Sequence, residues 1–183
     1  MEEKKEKRKP GTKINSKKKG SEYELKIAKV LSRWWGEEFH RTPMSGGLHW
    51  KADNRVAGDI VTPPNSVYPW VTELKKREAW EFNQFIKGTG EIEKYWEQVC
   101  SDANRTGLAP LLIFSKNYEP NYMMMSKHQF DALMNAALES KGCLPPINYF
   151  VVHKHGWMDR VVCILDDFIA HVSKQDVVAA LNL

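Results

Sequence analysis

A glutamate and a lysine stand two residues apart in Glu73-Leu74-Lys75, at the end of a run that begins at Val71. Side chains alternate along a strand, so Glu73 and Lys75 would share one face while Thr72 and Leu74 take the other. A second short run, Gly58-Asp59-Ile60-Val61, precedes it across a loop holding Pro63, Pro64 and Asn65, and the pattern predicts two adjacent strands. Asp59 then opens the first strand beside Glu73 and Lys75. Two carboxylates and an amine gathered at strand ends can hold a divalent cation and activate a water. Glu-x-Lys alone also fits an ordinary solvated hairpin, so the elements around it must decide.

Upstream, residues 21–35 have helical periodicity, with Tyr23, Ile27, Val30, Leu31 and Trp34 on one stripe. Two acids open this helix. Glu22 aligns with Lys26, Lys29 and Arg33 on the polar face, whereas Glu24 aligns with Ile27, Ala28, Leu31 and Trp35 at the edge of the apolar face. A carboxylate there is costly unless something compensates its desolvation. Glu24 has a second reading, because Ser21-x-x-Glu24 is a capping-box pattern that would merely satisfy a helix N-terminus. Phe39-His40-Arg41 reads as a short strand, followed by a polar loop containing Ser45-Gly46-Gly47. Asp53 could replace Asp59 as a ligand, but it lies in the turn-like run Asp53-Asn54-Arg55, while Asp59 precedes an apolar strand.

Asp on one strand, a loop, then Glu-x-Lys on the next resembles the PD-(D/E)xK nuclease signature, here Asp59 with Glu73-Leu74-Lys75. The order Gly20-x-x-x-Glu24, Arg41, Ser45-Gly46, Asp59, Glu73-x-Lys75 is similar to that of archaeal-type Holliday-junction resolvases, a branch of that superfamily. The likeness covers roughly half of the chain, from Lys19 to Lys116. Leu25 stands where that branch commonly has an arginine, and the loop between Ser45 and Asp59 is longer. The resemblance implies an α/β, restriction-endonuclease-like fold with a central mixed sheet flanked by helices. It implies a Mg²⁺-dependent endonuclease, with Mn²⁺ as substitute, acting on four-way or other branched double-stranded DNA as a homodimer. Asp59, Glu73, the Leu74 carbonyl and Glu24 would hold the metal, and Lys75 would act on the attacking water. Arg41, Ser45, Gly46, Lys76 and Lys116 would meet the DNA backbone.

The chain's 183 residues suffice for one domain with a real core, and 7 Trp, 7 Phe and 6 Tyr supply it. Charge is uneven. Residues 1–20 hold nine of the 27 Lys and Arg residues and three of the 23 acids, leaving 18 basic against 20 acidic in the remainder. Residues 1–19 therefore read as a disordered basic tail, either solubilising or a phosphate-tracking arm that includes Lys17, Lys18 and Lys19. Residues 20–183 read as a single nuclease domain, with a core over 20–140 and a C-terminal hairpin-helix extension over 147–183. Cys100, Cys143 and Cys163 are odd in number and far apart, which suits a reducing compartment. The charged N-terminus and the lack of a long apolar run predict no membrane association and a cytoplasmic location. The resemblance makes that the cytoplasm of a bacterial or phage-infected cell, at the nucleoid.

Residues 91–104 predict a second helix that buries Tyr95, Trp96 and Val99 and turns Gln98 to the exposed side, from which it either orients a phosphate or simply meets solvent. Trp80 and Phe85 are either core or base-stacking rings. Lys87-Gly88-Thr89-Gly90 lacks the other positions of a phosphate-binding fingerprint, so no nucleotide cofactor is expected. Further strands are expected at 111–114 and 122–125, a helix at 127–138, a hairpin pairing 148–152 with 160–165, and a terminal helix at 173–181. Met123, Met124 and Met125 read as core. His153, His155 and Cys163 make only a weak zinc pattern.

Overall fold

The computed structural model describes residues 16–42, 57–154, 156 and 158–182; within them the side chains of residues 16, 17 and 86 are not described. A five-stranded sheet forms the middle layer, in the order β3 (Trp70–Lys76), β4 (Ala109–Ser115), β5 (Tyr122–Ser126), β7 (Arg160–Ile164), β6 (Tyr149–Val152). Only β3 and β4 are parallel, and they are joined by helices α2 (Asn83–Lys87) and α3 (Glu91–Thr106). A parallel pair needs such a long crossover, which here places α3 over one face of the sheet. The remaining ladders are antiparallel, so the sheet is mixed and the chain is α/β, as expected.

Strand alternation divides the core in two. Trp70, Leu74, Leu111, Ile113, Met123, Met125 and Val161 meet Ile27, Leu31 and Trp35 of α1 (Ser16–Trp35), together with α4 (Lys127–Lys141), α5 (Leu165–His171) and α6 (Lys174–Leu181). On the other face Val71, Leu112, Phe114, Met124 and Val162 meet Trp80, Phe85, Trp96 and Val99. The three methionines are core, and the C-terminal segment does not stand apart: β7 lies between β5 and β6, and Trp34 Nε1 donates to Val172 O at 2.7 Å. Among the described residues no helix is long and apolar enough to cross a membrane.

Three local expectations change. α1 starts at Ser16, so Glu24 lies two turns inside it and the Ser21 capping box does not exist. Among the described residues a capping box forms at α6, between Ser173 and Asp176. Lys17, Lys18 and Lys19 therefore belong to a helix rather than a tail. Lys19 Nζ reaches Glu78 Oε1 at 2.9 Å, a contact across 59 residues that local periodicity cannot signal. Second, β2 (Ile60–Val61) pairs with β1 (His40–Arg41) in a separate antiparallel ribbon, and not with β3 as a ladder. Third, α2 and α5 are short helices within stretches read as connections; α5 begins where β7 ends, and seven residues are too few for a clear apolar stripe.

A candidate metal-dependent nuclease site

Among the described residues, Asp59 makes the hydrogen bonds that fasten the β1–β2 ribbon to the edge of β3. Asp59 N donates to Thr72 O at 2.8 Å, Leu74 N donates to Asp59 Oδ2 at 2.8 Å, and Thr42 N donates to Asp59 O at 2.9 Å. Residues two apart on a strand turn their N–H and C=O to the same side, so the Leu74 carbonyl shares this edge with the Asp59 carboxylate. The approach is close because residue 58 has no side chain. Gly58 has φ +75°, and a Cβ there would meet Thr72 O at 2.5 Å. Gly58→Ala is thus expected to cost at least about 1 kcal/mol from backbone conformation alone, and to displace Asp59. Urea denaturation should register the first effect, and single-turnover cleavage a much larger loss of rate. Unchanged values in both assays would mean that the edge contact is not needed.

Glu73 points from β3 toward α3, on the face that alternation assigns to it and to Lys75. It is only 3% exposed. Its Oε1 accepts from Lys75 Nζ and, at 3.1 Å, from Gln98 Nε2 of α3. The Lys75 ammonium also lies 5.1 Å from the centre of the Tyr95 ring, a favourable cation–π placement. Gln98 is exposed, as expected, yet also engaged at the site, and Tyr95 is half-buried, packed against the core beside it. Their spacing of three on one helix put them on a common face. That signal was available, but it gained meaning only once α3 was known to cross β3. From the other side of the edge, Arg41 Nε donates to Glu24 Oε2 at 2.9 Å.

The electrostatics separate this acidic group from a structural one. Glu93, also buried, is neutralised by Arg160 at 2.9 Å and Lys154 at 3.3 Å. Asp59 accepts only the neutral Leu74 N–H from the described residues, while Lys75, whose charge acts on it, is committed to Glu73. Burial first, then the charge of Glu73, push the Asp59 carboxyl up to about 7; Glu24 adds a weaker push of the same sign. Such a site lacks positive charge. Among the described residues no three His, Cys, Asp or Glu side chains form a ready metal cage. The donors at the β3 edge are nonetheless all oxygens, as a hard divalent cation prefers, and one carboxylate is left uncompensated. The residues fit such an ion.

Of the other expected contacts, Lys76 Nζ lies 5.6 Å from the Tyr23 ring centre and Lys116 Nζ 5.1 Å from that of Trp80, on opposite faces of the sheet. Trp80 is fully buried and Phe85 nearly so; both are core. Lys18 lies 3.9 Å from Glu22. Ser45, Gly46, Asp53 and the Lys17 side chain fall outside the described residues. Of the weak zinc pattern, His153 bonds Asp159 at 2.8 Å and Cys163 is buried, while His155 lies outside the described residues.

Comparison with known proteins gives the family. Residues 15–179 match the family model described as "Phage putative PDDEXK endonuclease". The chain is also similar to Protein D14 of Escherichia phage T5, 24% identical over 169 residues that cover 90% of this chain and 98% of that protein. No solved structure matches the chain.

Proposed function

This chain belongs to that phage PD-(D/E)xK endonuclease family, and from this premise we propose that it is a Mg²⁺-dependent, structure-selective DNA endonuclease acting at four-way or other branched junctions. Metal-dependent nuclease chemistry on DNA is what the family implies. The observation that carries the site is Asp59, a half-buried carboxylate beside Glu73 that accepts only a neutral N–H from the described residues.

Asp59, Glu73 and the Leu74 carbonyl, with Glu24 close by, would hold Mg²⁺, and Mn²⁺ could substitute. When bound, such an ion supplies Lewis acidity toward the phosphate and a lowered pKa for the attacking water. Lys75, held between Glu73 and the Tyr95 ring, orients that water and offsets charge growing on the phosphate oxygens in the transition state. Gln98 fixes the Glu73 carboxylate by its 3.1 Å bond. Arg41, paired with Glu24, is placed to exchange that carboxylate for a backbone phosphate, with Ser45 and Gly46 as further contacts. Lys76, Lys116 and the basic residues Lys17, Lys18 and Lys19 add sequence-independent attraction.

Junction selectivity is supported by the ordered motif set, of which Glu24, Arg41, Asp59, Glu73 and Lys75 converge on one sheet edge. Resolving a symmetric junction takes two symmetric nicks, so a two-fold homodimer is the matching assembly. The relative from a phage fits action in the cytoplasm of an infected cell. The test is cleavage of a labelled four-way junction beside a linear duplex of equal length, with Mg²⁺ and with EDTA. Paired symmetric nicks that need the metal are expected. Metal-dependent cutting of both substrates alike would retain the nuclease and remove junction selectivity. Binding without cutting under Mg²⁺ or Mn²⁺ would make the chain a DNA-binding module instead.

A further inference from the structure

α1 and β1 line a groove of about 460 Å³ that adjoins the acidic site through Arg41, which is bonded to Glu24. Arg41 forms its near end, and Lys29 and Arg33 of α1 and His40 of β1 continue it outward. Leu25, Lys29 and Arg33 recur every four residues, so they stack along one side of the helix. Those eight residues rise roughly 12 Å, the axial length of about three or four phosphates on one DNA strand. Lys29 and Arg33 are exposed, and neither forms an ion pair with a described residue. Of the lining's three permanent cations, Arg41 is paired with Glu24, which leaves Lys29 and Arg33 against the lining's one acid, Glu38, whose side chain is 84% exposed and lies 3.9 Å from His40. The one hydroxyl there, Ser32 Oγ, donates to Ala28 O at 2.8 Å and accepts from Phe39 N at 2.9 Å, so it is committed internally.

We propose that this groove carries the phosphodiester backbone of the DNA strand leaving the catalytic site, a role that rests on the nuclease reading above. Contact here is independent of base sequence and is released by salt. It is tested by anisotropy of a labelled linear duplex with the full chain, in EDTA so that cutting does not interfere, over a salt series. In the Lys29→Ala/Arg33→Ala double variant, the plot of log affinity against log salt should become shallower by about 1.8, at about 0.9 per lost phosphate contact. Leu25→Lys, adding a cation at an exposed position on the same line, should steepen it by about 0.9. Arg105→Ala, which removes a charge from the end of α3, should leave the slope as it was. An unchanged slope in the double variant, or in Leu25→Lys if the former fails to fold, overturns the groove while wild-type binding and cutting preserve the nuclease. A wild-type chain that neither binds nor cuts DNA overturns both.

Discussion

Glu73→Gln is expected to abolish metal-dependent cutting while leaving thermal stability close to that of the wild type. The substitution keeps the shape of a nearly buried side chain and an oxygen that can still accept from Gln98 Nε2. What it removes is charge. Losing one of two carboxylates that would share a divalent cation sacrifices several kcal/mol of transition-state stabilisation, a rate loss on the order of 10³-fold or more. Stability should hardly move because two consequences oppose each other. Lys75 loses its buried partner, which is unfavourable, but Asp59 loses the neighbouring charge that resists its own ionisation. Lys75 can then serve Asp59 and remains over the Tyr95 ring. Single-turnover cleavage together with thermal unfolding separates the effects. A variant that cuts at the wild-type rate would remove Glu73 from the catalytic group.

Asp59→Asn should inactivate the protein and yet make its metal-free form more stable at pH 8. In the folded chain the Asp59 carboxyl titrates near 7, against an ordinary value of 3.8. Below about pH 4 both folded and unfolded chains hold the proton, and the favourable contribution is fully present. As pH rises toward and through 7, the unfolded chain has already released it while the folded one resists, so that contribution is lost. A shift of this size in an isolated group would be worth roughly 4 kcal/mol. Because Asp59 is only half-buried and solvent screens part of this, about 2 kcal/mol is expected. Asparagine retains an oxygen for the Leu74 N–H and carries no charge to desolvate. Urea midpoints in EDTA should therefore decline from pH 5 to pH 8 more steeply for the wild type than for the variant. Mg²⁺ at pH 8 should stabilise the wild type and leave the variant unmoved. Equal pH dependence in the two proteins would show that Asp59 is an ordinary exposed carboxylate.

Much of this was legible along the chain. Period-two alternation assigns Glu73 and Lys75 to one face of β3, and they stand there together beside α3. The apolar stripes of α1 and α3, the helix after β5 and the β6–β7 hairpin follow from periodicity and turn residues alone. The ordered motif pointed to the nuclease superfamily that the family match places this chain in. These are local properties: a side chain's direction within an element depends on neighbours a few residues away. Tertiary structure decided how the elements meet. Asp59 hooks the edge of β3 while its strand pairs elsewhere, Gln98 turns to Glu73 across 25 residues, and Arg41 engages Glu24 across 17. The start of α1 at Ser16 comes with a lysine tied to Glu78, and the charge deficit at Asp59 exists only once burial has removed water. Hydrogen bonds and desolvation between distant segments depend on packing distance, which no local spacing of residues encodes.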